Sequence, residues 1–341
     1  MPNATERPRM PSIRDVARLA GVSHQTVSRV LNDHPSIRDE TKQRVLDAIR
    51  QLDYRPNAAA RALVTSRLNL IGVLSATVGE FGPTASVAAI EEAARAEDYS
   101  VTTLNLPDTT PEAIGAAVRQ LLREQVDGII VLAPQVRVFH VLRGMAIDVP
   151  FVSLQTASGA GADSVSPDQL EGARMATRHL VALGHEDILH LAGPQDWIEA
   201  DSRMRGYLQA LREADLPTIP PIRGDWTADF GHYAGRELAR RQDFTAVFAA
   251  NDLMAIGLVH GFRDAGLDVP GDVSVVGFDD IPVAAHVWPP LTTVHVDFAE
   301  LGRRAIARLL AALRGVDAAD VVDAERPAPA LIVRDSTSSP G

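Results

Sequence analysis

From His24 to Leu31 the chain reads HQTVSRVL, and at about 100° per residue a helix here has two faces. Val27, Val30 and Leu31 share one side, while His24, Gln25, Ser28 and Arg29 share the other. In the major groove of duplex DNA an arginine pairs with O6 and N7 of guanine, and a glutamine with N6 and N7 of adenine. The same residue types also clothe the solvated side of any small helical bundle, and periodicity alone leaves both readings open. The neighbouring elements must position that helix. Ser12 to Asp15 and Ser36 to Asp39 both read SIRD, a serine followed three residues later by an acid, which marks a helix start. Ile13, Val16, Ala17 and Ala20 form one apolar stripe, Gly21 interrupts it, and Ser23 can cap the next helix. Val45, Ala48, Ile49 and Leu52 place a third helix from Asp39 to about Leu52. Three short helices with a tight turn between the first two make a helix-turn-helix.

A second group of side chains suits a small polar ligand. Trp226 and Phe298 offer flat apolar faces that could stack on a sugar ring, and Asp, Asn and Arg side chains form paired hydrogen bonds to vicinal hydroxyls. These residues fall in a long alternation of short apolar runs and helical stretches. Leu70 to Leu74, Val101 to Leu104, Gly128 to Leu132, Phe151 to Leu154, Ile188 to Leu191, Ala246 to Ala249 and Ser274 to Phe278 read as buried parallel strands. Ala85 to Ala96, Pro111 to Arg123, Asp168 to Leu183, Arg203 to Ala214, Phe230 to Arg240 and Asp252 to Ala265 read as helices. Such βαβ repetition over some 270 residues implies two doubly wound lobes, with a ligand beyond the carboxyl ends of the strands. Glu80 to Pro83, Gln155, Asn251, Asp252, Asp279 and Asp280 stand at such ends. Each could equally be a turn residue, and Asp252 stays open between capping its helix and joining the site.

Composition excludes other chemistries. The 341 residues contain no cysteine, so disulfides, thiolate metal sites and thiol nucleophiles are out. The one lysine, Lys42, leaves no phosphate loop of the GxxxxGK type. His185 and Glu186 resemble the start of a zinc HExxH motif, but the next histidine, His190, is one residue too far along. GAGAD at 159–163 precedes a strand, which makes it a poor dinucleotide fingerprint, and Asp279 with Asp280 should face opposite ways on a strand. No enzymatic activity, cofactor or metal is expected. MPNATERPRMP has no apolar stretch of the signal-peptide kind and no run of about 18 apolar residues occurs, so a cytoplasmic location without a membrane partner is expected. The net charge of −11 is unevenly spread: residues 1–67 carry +5 and residues 68–341 carry −16. Such asymmetry is a hint of nucleic-acid contact.

Residues 12–63, with IRDVARLAGVSHQTVSRVLN followed by YRPNAAARAL, resemble the headpiece and hinge of the lactose-repressor (LacI/GalR) family of bacterial transcription factors. The resemblance continues through HLVALGH at 179–185, HLAGP at 190–194, GDW at 224–226, ANDLMAIG at 250–257, SVVGFDD at 274–280 and PPLTTVHVDFAELG at 289–302. It implies a small all-α helix-turn-helix headpiece (1–55), a hinge (56–67) and an α/β two-lobed periplasmic-binding-protein-like core (68–341). The lobes would combine roughly 68–167 with 297–325, and 168–296 with 326–341. It further implies that His24, Gln25 and Arg29 read bases, and that Ser23, Thr26, Ser28 and Asn32 sit close to phosphates. In the hinge, Asn57 can cap a short helix that includes Arg61, and Leu63 matches a leucine wedged into the minor groove.

For the core, the resemblance places ligand contacts on Arg203, Trp226, Asn251, Asp279 and Phe298, with Gly82, Pro83, Ser86, Gln155 and Glu199 lining the rest. It implies a homodimer on double-stranded, pseudo-palindromic operator DNA, released when a small effector closes the lobes. No heptad tail for a larger assembly is visible in RDSTSSPG at the end. A pocket poor in aromatic residues favours a sugar or glycoside over a purine. The rival readings are a corepressor-dependent repressor or activator of the same family, and a sugar-binding transport protein, which would not carry residues 12–63.

Overall fold

The structure is a computed structural model that describes residues 11–31, 37–54, 68–76, 80–133, 135–154, 164–241, 243–316 and 327–341. The chain divides into two compact units, 1–68 and 69–341.

The first unit holds α1 (Ile13–Ala20), α2 (His24–Leu31) and α3 (Asp39–Gln51). The first SIRD signal acts as expected: Asp15 Oδ2 accepts from both the backbone N–H (2.9 Å) and the hydroxyl (2.6 Å) of Ser12. Ser36, of the second, lies outside the described residues. Gly21 ends α1 with φ 65, a left-handed conformation that glycine adopts without strain. Arg44 of α3, which also carries Lys42, donates to the carbonyls of Ala20 and Gly21 and so clamps the turn. Val16, Ala17, Ala20, Val27, Val30, Val45, Ala48 and Tyr54 form the core.

The second unit contains two parallel sheets of the same strand order. In the first, β1 (Leu70–Ser75), β2 (Ser100–Asn105), β3 (Gly128–Leu132), β4 (Phe151–Leu154) and β5 (Ser164–Val165) lie in the order 2-1-3-4-5. In the second, β6 (Ile188–Ala192), β7 (Ile222–Arg223), β8 (Ala246–Ala249) and β9 (Ser274–Val276) lie in the order 7-6-8-9. β3, β6 and β8 are buried throughout. β2 departs from the expected buried strand, because it occupies a sheet edge and its two end residues are exposed. The intervening helices are α4 (Phe81–Ala96), α5 (Pro111–Arg123), α6 (Val136–Arg143), α7 (Gln169–Ala182), α8 (Ile198–Glu213), α9 (Ala228–Leu238) and α10 (Asp252–Asp264).

α4 begins four residues before its expected start. Gly82 and Pro83 read as breakers, yet a helix's first turn needs no intrahelical N–H bond, so proline is tolerated there. α8 begins five residues early for want of any apolar stripe among its first residues. After the second sheet, β10 (Thr293–His295) pairs antiparallel with β11 (Ala330–Ile332), and α11 (Phe298–Arg314) returns to pack on α4. A Cβ at Gly302 of α11 would lie 2.5 Å from the backbone of Ala89, so the two helices touch through that glycine. The final segment runs beside β9, where the Val275 N–H donates to the Ser336 carbonyl at 2.8 Å. Ile71, Ile130 and Val152 of the first sheet share one apolar cluster with Ile188, Phe248 and Val276 of the second. No helix among the described residues is long and apolar enough to cross a membrane.

Candidate functional site

On α2, His24, Gln25 and Arg29 are exposed, with Ser23 exposed just before the helix and Thr26 and Ser28 half-buried. Val27 and Val30 face the core, so the two-faced pattern of the sequence is realised. The Ser23 hydroxyl accepts from the Thr26 N–H at 3.1 Å and meets the Thr26 hydroxyl at 2.9 Å, which anchors the start of the helix. Asn32, Asn57, Arg61 and Leu63 lie outside the described residues.

In the second unit a cavity sits at the carboxyl ends of the strands, where open α/β sheets place their ligands. Gly82, Pro83, Ser86, Glu199, Arg203, Trp226, Asn251, Asp279 and Phe298 all line it, while Gln155 lies outside the described residues. Parallel sheets of this strand order change winding direction beside their first strand, and that switch point supplies much of the wall. Phe81, Gly82, Pro83 and Ser86 follow β1 on the first turns of α4, Glu199 and Arg203 follow β6 on α8, and Asn251 follows β8.

Arg203 is the hub. Its Nε donates to Gln169 Oε1 at 2.8 Å, Nη1 to the Ala250 carbonyl, and Nη2 to Asp279 Oδ1 at 3.1 Å. Its guanidinium carbon lies 3.8 Å from the Phe278 ring centroid. These bonds engage three of the five guanidinium donors. Burial pushes the Asp279 carboxyl up, against the pull of Arg203. Burial likewise pushes Glu199 up to about 7, again opposed by Arg203. Glu80 is raised by burial first and by Asp225 and Asp279 next. Glu199 Oε2 and Trp226 Nε1 are buried without a hydrogen-bond partner among the described residues. An acceptor and a donor left in this condition cost free energy until a third molecule satisfies them.

Asn251 caps α10 by accepting from the Met254 N–H at 2.9 Å, and its amide donates to the Trp226 carbonyl at 3.0 Å. Asp252 neither caps nor lines the cavity. It accepts from the Ile281 N–H (2.8 Å) and the Thr293 hydroxyl (2.5 Å), and burial pushes its carboxyl up to about 8. Asp279 and Asp280 do diverge, but not by strand alternation, since φ is 107 and 55 at the two positions. Asp280 instead meets Arg334 (2.7 Å) and His295 (3.0 Å). His185 precedes β6 and His190 lies within it, so the two share no helix; the latter stacks on Phe248, and burial lowers it to about 4.

The pocket is richer in aromatic residues than expected. Phe81 and Trp197 line it beside Phe298 and Trp226, with Phe81 edge-on to Phe298 (5.8 Å between centroids) and Trp197 edge-on to Trp226 (5.4 Å). Gln169 adds polar lining that the sequence did not single out, beside Glu80, which it placed at a strand end. Glu80 directly follows the first strand-and-turn segment, a signal that was present; Gln169 and Trp197 carry none, being placed by contacts 34 residues away in the chain or more.

Residues 12–57 match the family described as bacterial regulatory proteins, lacI family, and residues 177–337 match the periplasmic binding protein-like domain. The lactose operon repressor of Escherichia coli K12 is 34% identical over 306 residues, covering 89% of this chain and 85% of that protein. The HTH-type transcriptional repressor PurR of Haemophilus influenzae PittEE is 31% identical over 338 residues, covering 97% and 99%. Among solved structures, the Lac repressor dimer bound to operator and the anti-inducer ONPF aligns with a TM-score of 0.82 at 32% identity, covering 97% of this chain and 100% of that one. The complex of the transcriptional regulator CelR with cellobiose aligns with a TM-score of 0.69 at 30% identity, covering 96% and 99%. With headpiece and core both matched, and relatives above 30% identity along nearly the whole chain, this protein belongs to the lacI family of bacterial regulatory proteins.

Proposed function

We propose that the chain is a cytoplasmic transcriptional repressor that binds operator DNA as a homodimer and is released by a sugar or small glycoside in the cavity, with no catalytic step. The observation that carries this reading is the joint presence of an exposed His24, Gln25 and Arg29 face on a helix-turn-helix and a buried cavity holding an unpaired Glu199 acceptor. In the headpiece, His24, Gln25 and Arg29 would read base edges, and Ser23, Thr26, Ser28 and Asn32 would hold phosphates. The hinge at 56–67 would add Asn57, Arg61 and the Leu63 wedge.

In the cavity three carboxyl groups, Glu80, Glu199 and Asp279, stand beside the N–H donors of Arg203 and Trp226. The hydroxyls of a polyhydroxylated ring can donate to such carboxyls and accept from such N–H groups, and its apolar faces suit the rings of Phe81, Trp197, Trp226 and Phe298. A coupling of about 2 to 3 kcal/mol between effector and operator would change affinity some 30- to 150-fold.

One observation favours a second reading. Four aromatic side chains in one pocket also suit a flat purine, which would make the ligand a corepressor. A thermal-shift screen of the full-length chain against mono- and disaccharides and purine bases separates the two, because a bound ligand raises stability by mass action. Operator selected from random duplexes, then titrated with the hit, gives the sign: a sugar should weaken the complex and a corepressor should tighten it. Trp226→Ala should lose the effector response with operator binding kept, and an undiminished response would move the ligand elsewhere.

A further inference from the structure

Away from the cavity wall, α9 and α10 bring together three side chains that neither DNA nor effector binding uses. His232 lies on α9, and His260 and Asp264 lie one helical turn apart on α10. His232 Nε2 is 2.8 Å from Asp264 Oδ2, His260 Nε2 is 3.6 Å from Asp264 Oδ1, and the two imidazole centroids are 4.6 Å apart. One ligand atom from each residue lies within 4.8 Å of the others. In a four-coordinate zinc shell, with metal to ligand distances of about 2.0 to 2.2 Å, ligand atoms stand about 3.4 Å apart. Small rotations of these solvent-reaching side chains close the triangle.

The backbone beneath them is fixed. A Cβ at Gly231 would fall 2.2 Å from the Met254 carbonyl oxygen, one at Gly257 2.0 Å from that of Ala228, and one at Gly261 2.3 Å from that of His232 itself. The helices therefore touch backbone to backbone, and the three ligands are preorganised by packing that does not depend on a metal. Two imidazoles and one carboxylate are the donor set of a borderline divalent cation, and the exposure of His260 leaves a coordination position to water. Arg236 is close enough to act on Asp264 and works against a cation, which sets a limit on affinity.

We propose that His232, His260 and Asp264 form a binding site for a divalent transition cation, zinc foremost, that braces α9 against α10. The alternative is a plain His232–Asp264 hydrogen bond with His260 stacked beside it.

The full-length protein, stripped with EDTA, should bind one equivalent of ZnCl2 per chain in calorimetry. Its melting temperature should rise by about 5 °C with free zinc 100-fold above Kd. CoCl2 should give the visible absorption of a four-coordinate site. His260→Ala should lose the equivalent and the cobalt band, Asp264→Asn should weaken binding at least tenfold, and His140→Ala, on α6, should change nothing. Circular dichroism melts of the stripped variants, whose altered side chains are partly or largely exposed, confirm that they fold. Absence of zinc binding in the unaltered chain overturns the proposal, as does a rise in melting temperature retained in the His232→Ala/His260→Ala double variant.

Discussion

On α2 the chemistry-bearing side chains come from residues 24–29 and stand in water, whereas the polar wall of the cavity comes from residues as far apart as Glu80 and Asp279 and is largely buried. In the first case the partner can be reached without disturbing the fold: His24, Gln25 and Arg29 contribute little to the headpiece core, which is apolar. In the second, Arg203 lines the cavity and at the same time holds Gln169, Ala250 and Asp279 in place. Function and stability are separable on the helix and inseparable in the cavity.

Arg203→Ala tests that contrast most severely. It strands Asp279, whose side chain is 9% exposed, and breaking such a pair from one side costs about 3 to 5 kcal/mol. Urea unfolding should show that loss, and adding Asp279→Asn should recover part of it; a loss below about 1 kcal/mol would dissolve the distinction between the two regions. Glu199→Gln comes next. The folded chain holds the Glu199 proton up to about pH 7, while an ordinary glutamate loses it near 4.5. The stability this gives is complete below pH 4.5 and is lost as pH rises through 7, on the order of 3 kcal/mol. The glutamine variant should flatten the unfolding free energy across that window.

Arg29→Ala should do the reverse of Arg203→Ala, costing about 1 to 3 kcal/mol of discrimination at one base pair per half-site while leaving the headpiece melt within about 0.5 kcal/mol. Equal affinity for all operator variants would remove base reading from this residue. Gly21→Ala sharpens the comparison from the structural side: a left-handed φ of 65 and an Arg44 nitrogen 3.1 Å from the new methyl should cost about 1 kcal/mol or more of headpiece stability. The cavity unit's own melt should not move.

The same contrast governs what the sequence discloses. α2 was legible because its pattern is local: Val27 and Val30 recur at helical spacing and Gly21 marks the turn. Seven parallel strands were legible as apolar runs, with Asn251 and Asp279 at their ends, while the two-residue strands β5 and β7 are too short to show a pattern. Glu80 to Pro83 were legible as a strand end but not as helix, because Gly82 and Pro83 look like a loop until the first turn of α4 is seen to tolerate them. Asp252 was ambiguous for a similar reason, since its partners Ile281 and Thr293 lie 29 and 41 residues on. His232 and His260 meet only because glycines let two helix backbones touch.

The only lysine, Lys42, lies on α3, so the residues from Leu68 onward carry every positive charge but histidine as guanidinium. A reagent that acylates side-chain amines therefore has a single address, in the unit that carries α2. A dye placed there would follow the headpiece alone, and protection of Lys42 from acylation would map where DNA covers it.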